Sequence, residues 1–96
     1  MSHGIRIIYC TQCAWMLRAA WVAQEMLSTF QEELRGGGAT LVPGTGGIFE
    51  VYADDERVWS RKEDGGFPDI VALKRRVRDV IAPGRDLGHA DRAAQH

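Results

Sequence analysis

Apolar and polar positions follow several distinct rhythms along this chain, and each rhythm marks an element. Ile5, Ile7, Ile8 and Tyr9 form a nearly continuous apolar run, which reads as a short strand buried on both faces. From Ala14 to Leu34 the rhythm changes. Met16, Ala20, Ala23, Leu27, Phe30 and Leu34 recur at steps of four and three, drawing one stripe down a helix, with Gln24, Glu25, Gln31, Glu32 and Arg35 off it. Gly36 to Gly38 stop that helix, since glycine readily takes the left-handed conformation past a helix end. Three short strand signals follow. ATLV (Ala39 to Val42) precedes the loop PGTGG. IFEVYA (Ile48 to Ala53) alternates, Phe49, Val51 and Ala53 opposing Ile48, Glu50 and Tyr52. After the turn DDE, RVWS (Arg57 to Ser60) returns antiparallel as a hairpin. RKEDGG reads as a polar loop. Pro68 suits the first turn of a second helix, where its missing N–H costs nothing. Ile70, Leu73, Val77 and Val80 give that helix one apolar face, and Pro83–Gly84 end it.

The order is β-α-β-β-β-α. A strand, a helix and a second strand form a βαβ unit with parallel strands and a right-handed crossover, and the hairpin extends it. The reading is a minimal α/β sandwich: a four-stranded mixed sheet packed with two helices. Residues 1–83 form one domain and 84–96 a loose polar tail, with no internal repeat or linker.

Composition narrows the function classes. The chain has 96 residues, 45% hydrophobic and 26% charged, and carries a net charge of −1. That balance argues against broad electrostatic attraction to nucleic acid or an anionic membrane. No apolar run approaches the ~20 residues that span a bilayer, and no charged segment leads into a secretory signal. The two cysteines are too few for a disulfide framework. The expected compartment is a reducing cytoplasm, where a cysteine pair is more often catalytic or metal-binding than structural.

Those cysteines, Cys10 and Cys13, stand where the first strand runs into the first helix. The opening N–H groups of a helix lack internal partners and carry about half a positive charge. A thiolate placed there is stabilised, so its pKa falls from about 8.5 towards neutrality. Three helical residues advance only ~4.5 Å, within the Cα separations that a disulfide spans. One spacing thus gives an easily ionised thiol and a neighbour able to close the bond, the chemistry of thiol–disulfide exchange. C-x-x-C beside a βαβ pattern is a thioredoxin-like signature. Two other readings stand beside it. Structural zinc wants four ligands, and the remaining candidates, His3, His89 and His96, lie at the chain ends, so no metal is expected. Two buried small hydrophobes are disfavoured by the polar Thr11 and Gln12 between them.

YCTQCAW, then VPGTGGIFEVYADDERVWSRKEDGGFPD and LKRRVRDVI, resemble the selenoprotein W-like family (SelT/SelW/SelH, or Rdx) over roughly Ile5 to Ile81. PGTGGIFEV with GGFP makes the match far more specific than C-x-x-C alone. The resemblance implies a thioredoxin-like fold and a thiol redox protein, with a glutathione-linked antioxidant role or redox-dependent protein partners. It also raises a conflict. The helix dipole and the thioredoxin analogy favour Cys10 as the attacking thiolate, whereas selenium-containing relatives carry selenocysteine at the position of Cys13. Full thioredoxins set a cis-proline against the pair. Here Gly46, Gly47 or Ile48 should face the cysteines, and Pro43 falls too early. These glycines either admit a partner backbone as an added strand or simply make a turn.

Other residues are weighed against plainer roles. Trp15 follows Cys13 and flanks the site or packs in the core; Trp59 reads as core, and Trp21 lies off the stripe. Phe67 is either a staple to the second helix or a rim contact near the cysteines. LKRRVR reads as a solvated face rather than a nucleic-acid site, and His89 as part of the tail. The function expected is a small cytoplasmic thiol–disulfide oxidoreductase acting on protein or glutathione disulfides. Cys10 and Cys13 are catalytic, Thr11, Gln12, Gly46, Gly47, Ile48 and Phe67 bind substrate or partner, and no cofactor is needed beyond glutathione as a possible reductant. The alternative is a redox-sensing binding module that regulates a protein partner without turnover.

Overall fold

The computed structural model describes residues 2–88. Its elements are β1 (Ile5–Cys10), α1 (Met16–Thr29), β2 (Ala39–Gly44), β3 (Phe49–Ala53), β4 (Glu56–Ser60), α2 (Arg61–Asp64) and α3 (Ile70–Ile81). The sheet order is β2-β1-β3-β4. β1 and β2 are parallel, as a βαβ unit requires, and β3 and β4 complete the sheet antiparallel. α1 touches β1 and β2, α3 touches β3 and β4, and the two helices touch each other. They therefore share one face of the sheet.

The other face is open, which corrects the expectation that β1 is buried on both sides. Ile5 and Ile7 are core residues, but Arg6 and Ile8 are only partly buried, and the Arg6 guanidinium lies over the Tyr52 ring. Period-two burial appears instead in β3, where Phe49, Val51 and Ala53 are buried and Glu50 and Tyr52 half-exposed. The register between β3 and β4 slips beside Val51, so β4 carries an extra residue. Val58 and Trp59, adjacent in sequence, are both buried there, as a bulge permits.

The helix stripe is rotated from the one expected. Ala19, Val22, Ala23 and Met26 are the buried residues of α1, with Phe30 and Leu34 continuing beyond it. Met16, Leu17, Trp21 and Leu27 are exposed, Leu17 at 77%. Both stripes obey the helical period, because the first half of α1 is apolar nearly all round. The small side chains Ala19 and Ala23 let the helix lie close on the sheet, and they decide the face. α1 is also shorter than expected: Ala14 takes a positive φ of 61°, and Phe30 caps the far end, its N–H donating to the Met26 carbonyl.

Three smaller differences follow from local hydrogen bonding. RKED is the short helix α2 rather than a loop. The Ser60 hydroxyl accepts from the Glu63 amide at 3.3 Å, the Asp64 carboxylate accepts from the Ser60 amide at 2.9 Å, and Gly65 caps the end. α3 starts after Pro68, because the Asp69 side chain accepts the Ala72 amide at 3.1 Å and so takes the N-cap. β2 runs on through Pro43 and Gly44; proline is tolerated because β2 is an edge strand. The start of the expected tail is tied to the body: Arg85 pairs with Glu33 at 2.8 Å and donates to the Thr29 carbonyl, and Leu87 packs on the core. His89 and His96 lie outside the described residues.

Far from the cysteines, the segment before β1 is clamped to the β3–β4 turn. Asp54 accepts from the His3 imidazole at 2.7 Å and the Gly4 amide at 3.0 Å. Burial alone would raise the Asp54 carboxyl, but these bonds and the His3 charge outweigh it and hold the group below the usual carboxylate range. Asp64 is also held low, first by the Ser60 amide and then, against burial, by Arg76 and Arg57. The folded protein binds these protons less tightly than the unfolded chain does. Their contribution to stability is complete above the unfolded range, about pH 4–5, and is lost as pH falls through the folded values. Denaturation at pH 7, 4 and 3 should show declining stability, and Asp54→Asn with Asp64→Asn should flatten that decline. A double variant with the parent's slope would contradict the assignment.

Candidate redox site

The sheet brings four strand ends together. β1 ends at Cys10, its neighbour β2 ends opposite at Gly44, β3 begins opposite Tyr9 at Phe49, and β4 ends at Ser60 opposite Glu50. The cysteine pair straddles this edge. Cys10 is the last residue of β1 and Cys13 lies in the turn before α1, so the pair precedes the helix rather than occupying its first turn. Their Cα atoms are 5.3 Å apart and their sulfurs lie at disulfide distance.

Burial separates the two. Cys10 is 1% exposed, whereas Cys13 is only partly buried. Cys13 is also nearer the start of α1, whose N-cap Trp15 makes no side-chain capping bond and whose first turn holds no acidic residue. The turn is held from both sides. The Thr11 amide and hydroxyl both donate to the Gly44 carbonyl, at 3.0 and 3.1 Å, and the Ala14 amide donates to the Thr11 carbonyl at 3.2 Å.

Gly44 has no place among the expected site residues, yet it packs closely against the pair's strand. A Cβ there would meet the Ile48 Cγ2 at 2.9 Å and the Ile8 Cγ2 at 3.1 Å. Both methyls belong to β-branched side chains with little freedom to withdraw. Gly44→Val should destabilise the protein by about 1–3 kcal/mol, by analogy with overpacked cores, and denaturant titration would show it. A neutral result would mean the β2 end moves freely. Gly46 and Gly47 have positive φ, 73° and 77°, with open space around them, and form the turn into β3. Ile48 is half-buried against Gly44, and Gln12 is exposed.

Three aromatic residues cluster where Trp15, after the cysteine turn, meets the start of β3. Trp15, Phe49 and Phe67 meet edge to face, with centroids 4.8 Å apart for Trp15–Phe67, 5.2 Å for Phe49–Phe67 and 6.5 Å for Trp15–Phe49. Trp15 and Phe67 both pack on the core. Trp59 is a core residue whose indole donates to the Gly66 carbonyl at 2.9 Å. Two arginines cover the aromatic cluster: Arg18 lies over Phe67, and Arg61 over Trp15 and Phe67. Neither has a place among the expected site residues. For Arg61 a signal existed: Ser60-Arg61-Lys62-Glu63 has the S-x-x-E form of a helix start, which turns Arg61 back over the cluster. The basic run of α3 is largely used within the fold, through Lys74–Glu25 at 3.0 Å, Arg76–Asp64 at 3.1 Å and Arg78–Asp79 at 2.9 Å. Among the described residues no three His, Cys, Asp or Glu side chains converge as a metal site, and no helix is long and apolar enough to cross a membrane.

The comparisons with known proteins agree with this architecture. A crystal structure of a selenoprotein W-related protein from Vibrio cholerae superposes with a TM-score of 0.79 at 49% identity, covering 84% of this chain and 99% of its own. The crystal structure of a protein from Bordetella parapertussis gives 0.77 at 53% identity, covering 82% of this chain and 98% of its own. Migration and invasion enhancer 1 of Bos taurus is 33% identical over 84 residues, 79% of this chain and 67% of that protein. The fold is therefore thioredoxin-like, and a C-x-x-C pair at disulfide distance on it points to redox function. Residues 4–79 match the model of the Rdx family, and the chain belongs to that family.

Proposed function

We propose that the protein is a small thiol–disulfide oxidoreductase in which Cys13 attacks and Cys10 resolves. The observation that carries this reading is the unequal burial of the pair: an incoming disulfide can reach Cys13 but not Cys10. The open first turn of α1 favours the Cys13 thiolate through its unpaired amides and dipole. The Cys13 thiolate attacks one sulfur of a substrate disulfide, forms a mixed disulfide and expels the other sulfur as a thiolate, which takes up a proton. Cys10 then loses its proton and attacks the Cys13 sulfur. The internal disulfide closes and the second substrate sulfur leaves as a thiol. Two electrons and two protons pass to the substrate. Two equivalents of a low-molecular-weight thiol such as glutathione, plentiful in a reducing cytoplasm, would return the pair to the dithiol.

The substrates in this reading are protein or glutathione disulfides. Thr11 and Gln12 present the turn, while Gly46, Gly47, Ile48 and Phe67 border the approach. The test is turnover of a model disulfide with glutathione as donor, with the reduction potential of the pair measured alongside. Catalysed reduction supports the reading; a reversible Cys10–Cys13 disulfide with no turnover refutes it and favours a redox-sensing binding module. The exposed Met16, Leu17 and Trp21 next to the cysteines are the feature that favours that second reading.

A further inference from the structure

Most cations in the described chain have a carboxylate. Arg35, Arg57, Lys74, Arg76, Arg78 and Arg85 each pair with Asp or Glu. Arg6, Arg18, Arg61, Lys62 and Arg75 show no carboxylate partner among the described residues, and of these Arg18 and Arg61 share one aromatic platform at the redox end. The Arg18 Cζ lies 4.0 Å from the Phe67 ring centre. The Arg61 Cζ lies 4.8 Å from that of Trp15 and 5.5 Å from that of Phe67.

Arg61 adds an independent sign. Its Nε is buried and has no hydrogen-bond partner. A buried charged N–H left unpaired is costly and uncommon in a native fold. Nε itself is closed to solvent, so an incoming carboxylate meets the terminal N–H groups of Arg61, which the aromatic faces leave free by holding the guanidinium by its plane. The platform itself is fixed to the reaction centre: Trp15 closely follows Cys13 in sequence and its amide approaches the Cys10 carbonyl at 3.5 Å.

We infer that Arg18 and Arg61 form a carboxylate-recognition site beside Cys13, which selects thiol and disulfide substrates carrying an acidic group next to the reacting sulfur. The inference rests on the oxidoreductase reading for what happens to the substrate, but recognition itself needs no redox step. The acid has two sources, a small acidic thiol peptide or an acidic residue beside a protein cysteine.

The test uses the full chain and redox-inert ligands, read by titration calorimetry: S-methylglutathione, a short peptide with Glu beside S-methylcysteine, and the same peptide with Gln. The Glu peptide is expected to bind about tenfold more tightly than the Gln peptide. Arg18→Gln and Arg61→Gln should each erode that ratio, and the double variant should bring it to about one, while Lys62→Gln, exposed beside Arg61, should leave it unchanged. Arg18 is exposed, so its single variant reports even if Arg61 variants fold poorly. Tighter binding of S-methylglutathione than of the Glu peptide assigns the site to small thiols, and the reverse order assigns it to protein segments; both support the inference. Equal binding of Glu and Gln peptides, or a preference that survives Arg18→Gln undiminished, overturns it. Charge-selective binding without turnover would sink the oxidoreductase reading and leave this site standing.

Discussion

Cys13→Ser should lower disulfide reduction to the background rate, and Cys10→Ser, with no added thiol, should stop the reaction at a stable mixed disulfide. The asymmetry follows from accessibility. Exchange needs the attacking sulfur in line with the substrate's S–S bond, and Cys10, closing β1 under the turn, is 1% exposed. Of the two cysteines, Cys13 is the one within a substrate's reach, so removing it removes the attacking thiol. Removing Cys10 leaves attack intact but deletes the resolving thiol, so the variant should accumulate an adduct one substrate thiol heavier in mass. The reverse pattern, a trapped adduct on Cys10 in Cys13→Ser, would exchange the two roles.

The second large effect concerns Phe49. It is 1% exposed, lies in the central strand β3 opposite Tyr9, and contacts both Trp15 and Phe67. Phe49→Ala should cost about 3–5 kcal/mol, the range for phenylalanine truncation in a core. A small domain has only about 5–15 kcal/mol in total, so the loss should be plain in a denaturant titration. Phe30→Ala supplies the comparison. Phe30 is fully buried but caps the far end of α1, so it should lose similar stability while the labelling rate of Cys13 in the folded protein stays at the parent value. Phe49→Ala should change that rate, because the Trp15–Phe67 contact loses its support. Equal labelling rates in the two variants would detach the aromatic cluster from the site.

The sequence shows the order of the four strands and two long helices, the parallel βαβ unit and the strand–turn–helix setting of the cysteines, because each leaves a local periodicity or a glycine stop; the short α2 has too few residues to leave a periodicity. The face of α1 does not show in the same way. Met16, Leu17, Ala20 and Trp21 fit a helical stripe as well as Ala19, Val22 and Ala23 do, and only the close approach of helix to sheet separates them. Arg6 and Ile8 mark the open face of β1, but a run of isoleucines hides it. Gly44 and Arg18 act through distant neighbours, Ile8 and Ile48 for one and Phe67 for the other, and no spacing along the chain reveals contacts of that kind. The relative burial of Cys10 and Cys13 is likewise a tertiary property. It is set by where β1 ends and by the Thr11–Gly44 bonds that fold the turn over it.

The most direct measurement is alkylation of the fully reduced protein at pH 6–7 with limiting iodoacetamide, followed by peptide mass mapping. Cys13 should be modified first and faster than free cysteine, with Cys10 protected until the protein unfolds. Modification of Cys10 first, or of neither faster than free cysteine, would contradict the account.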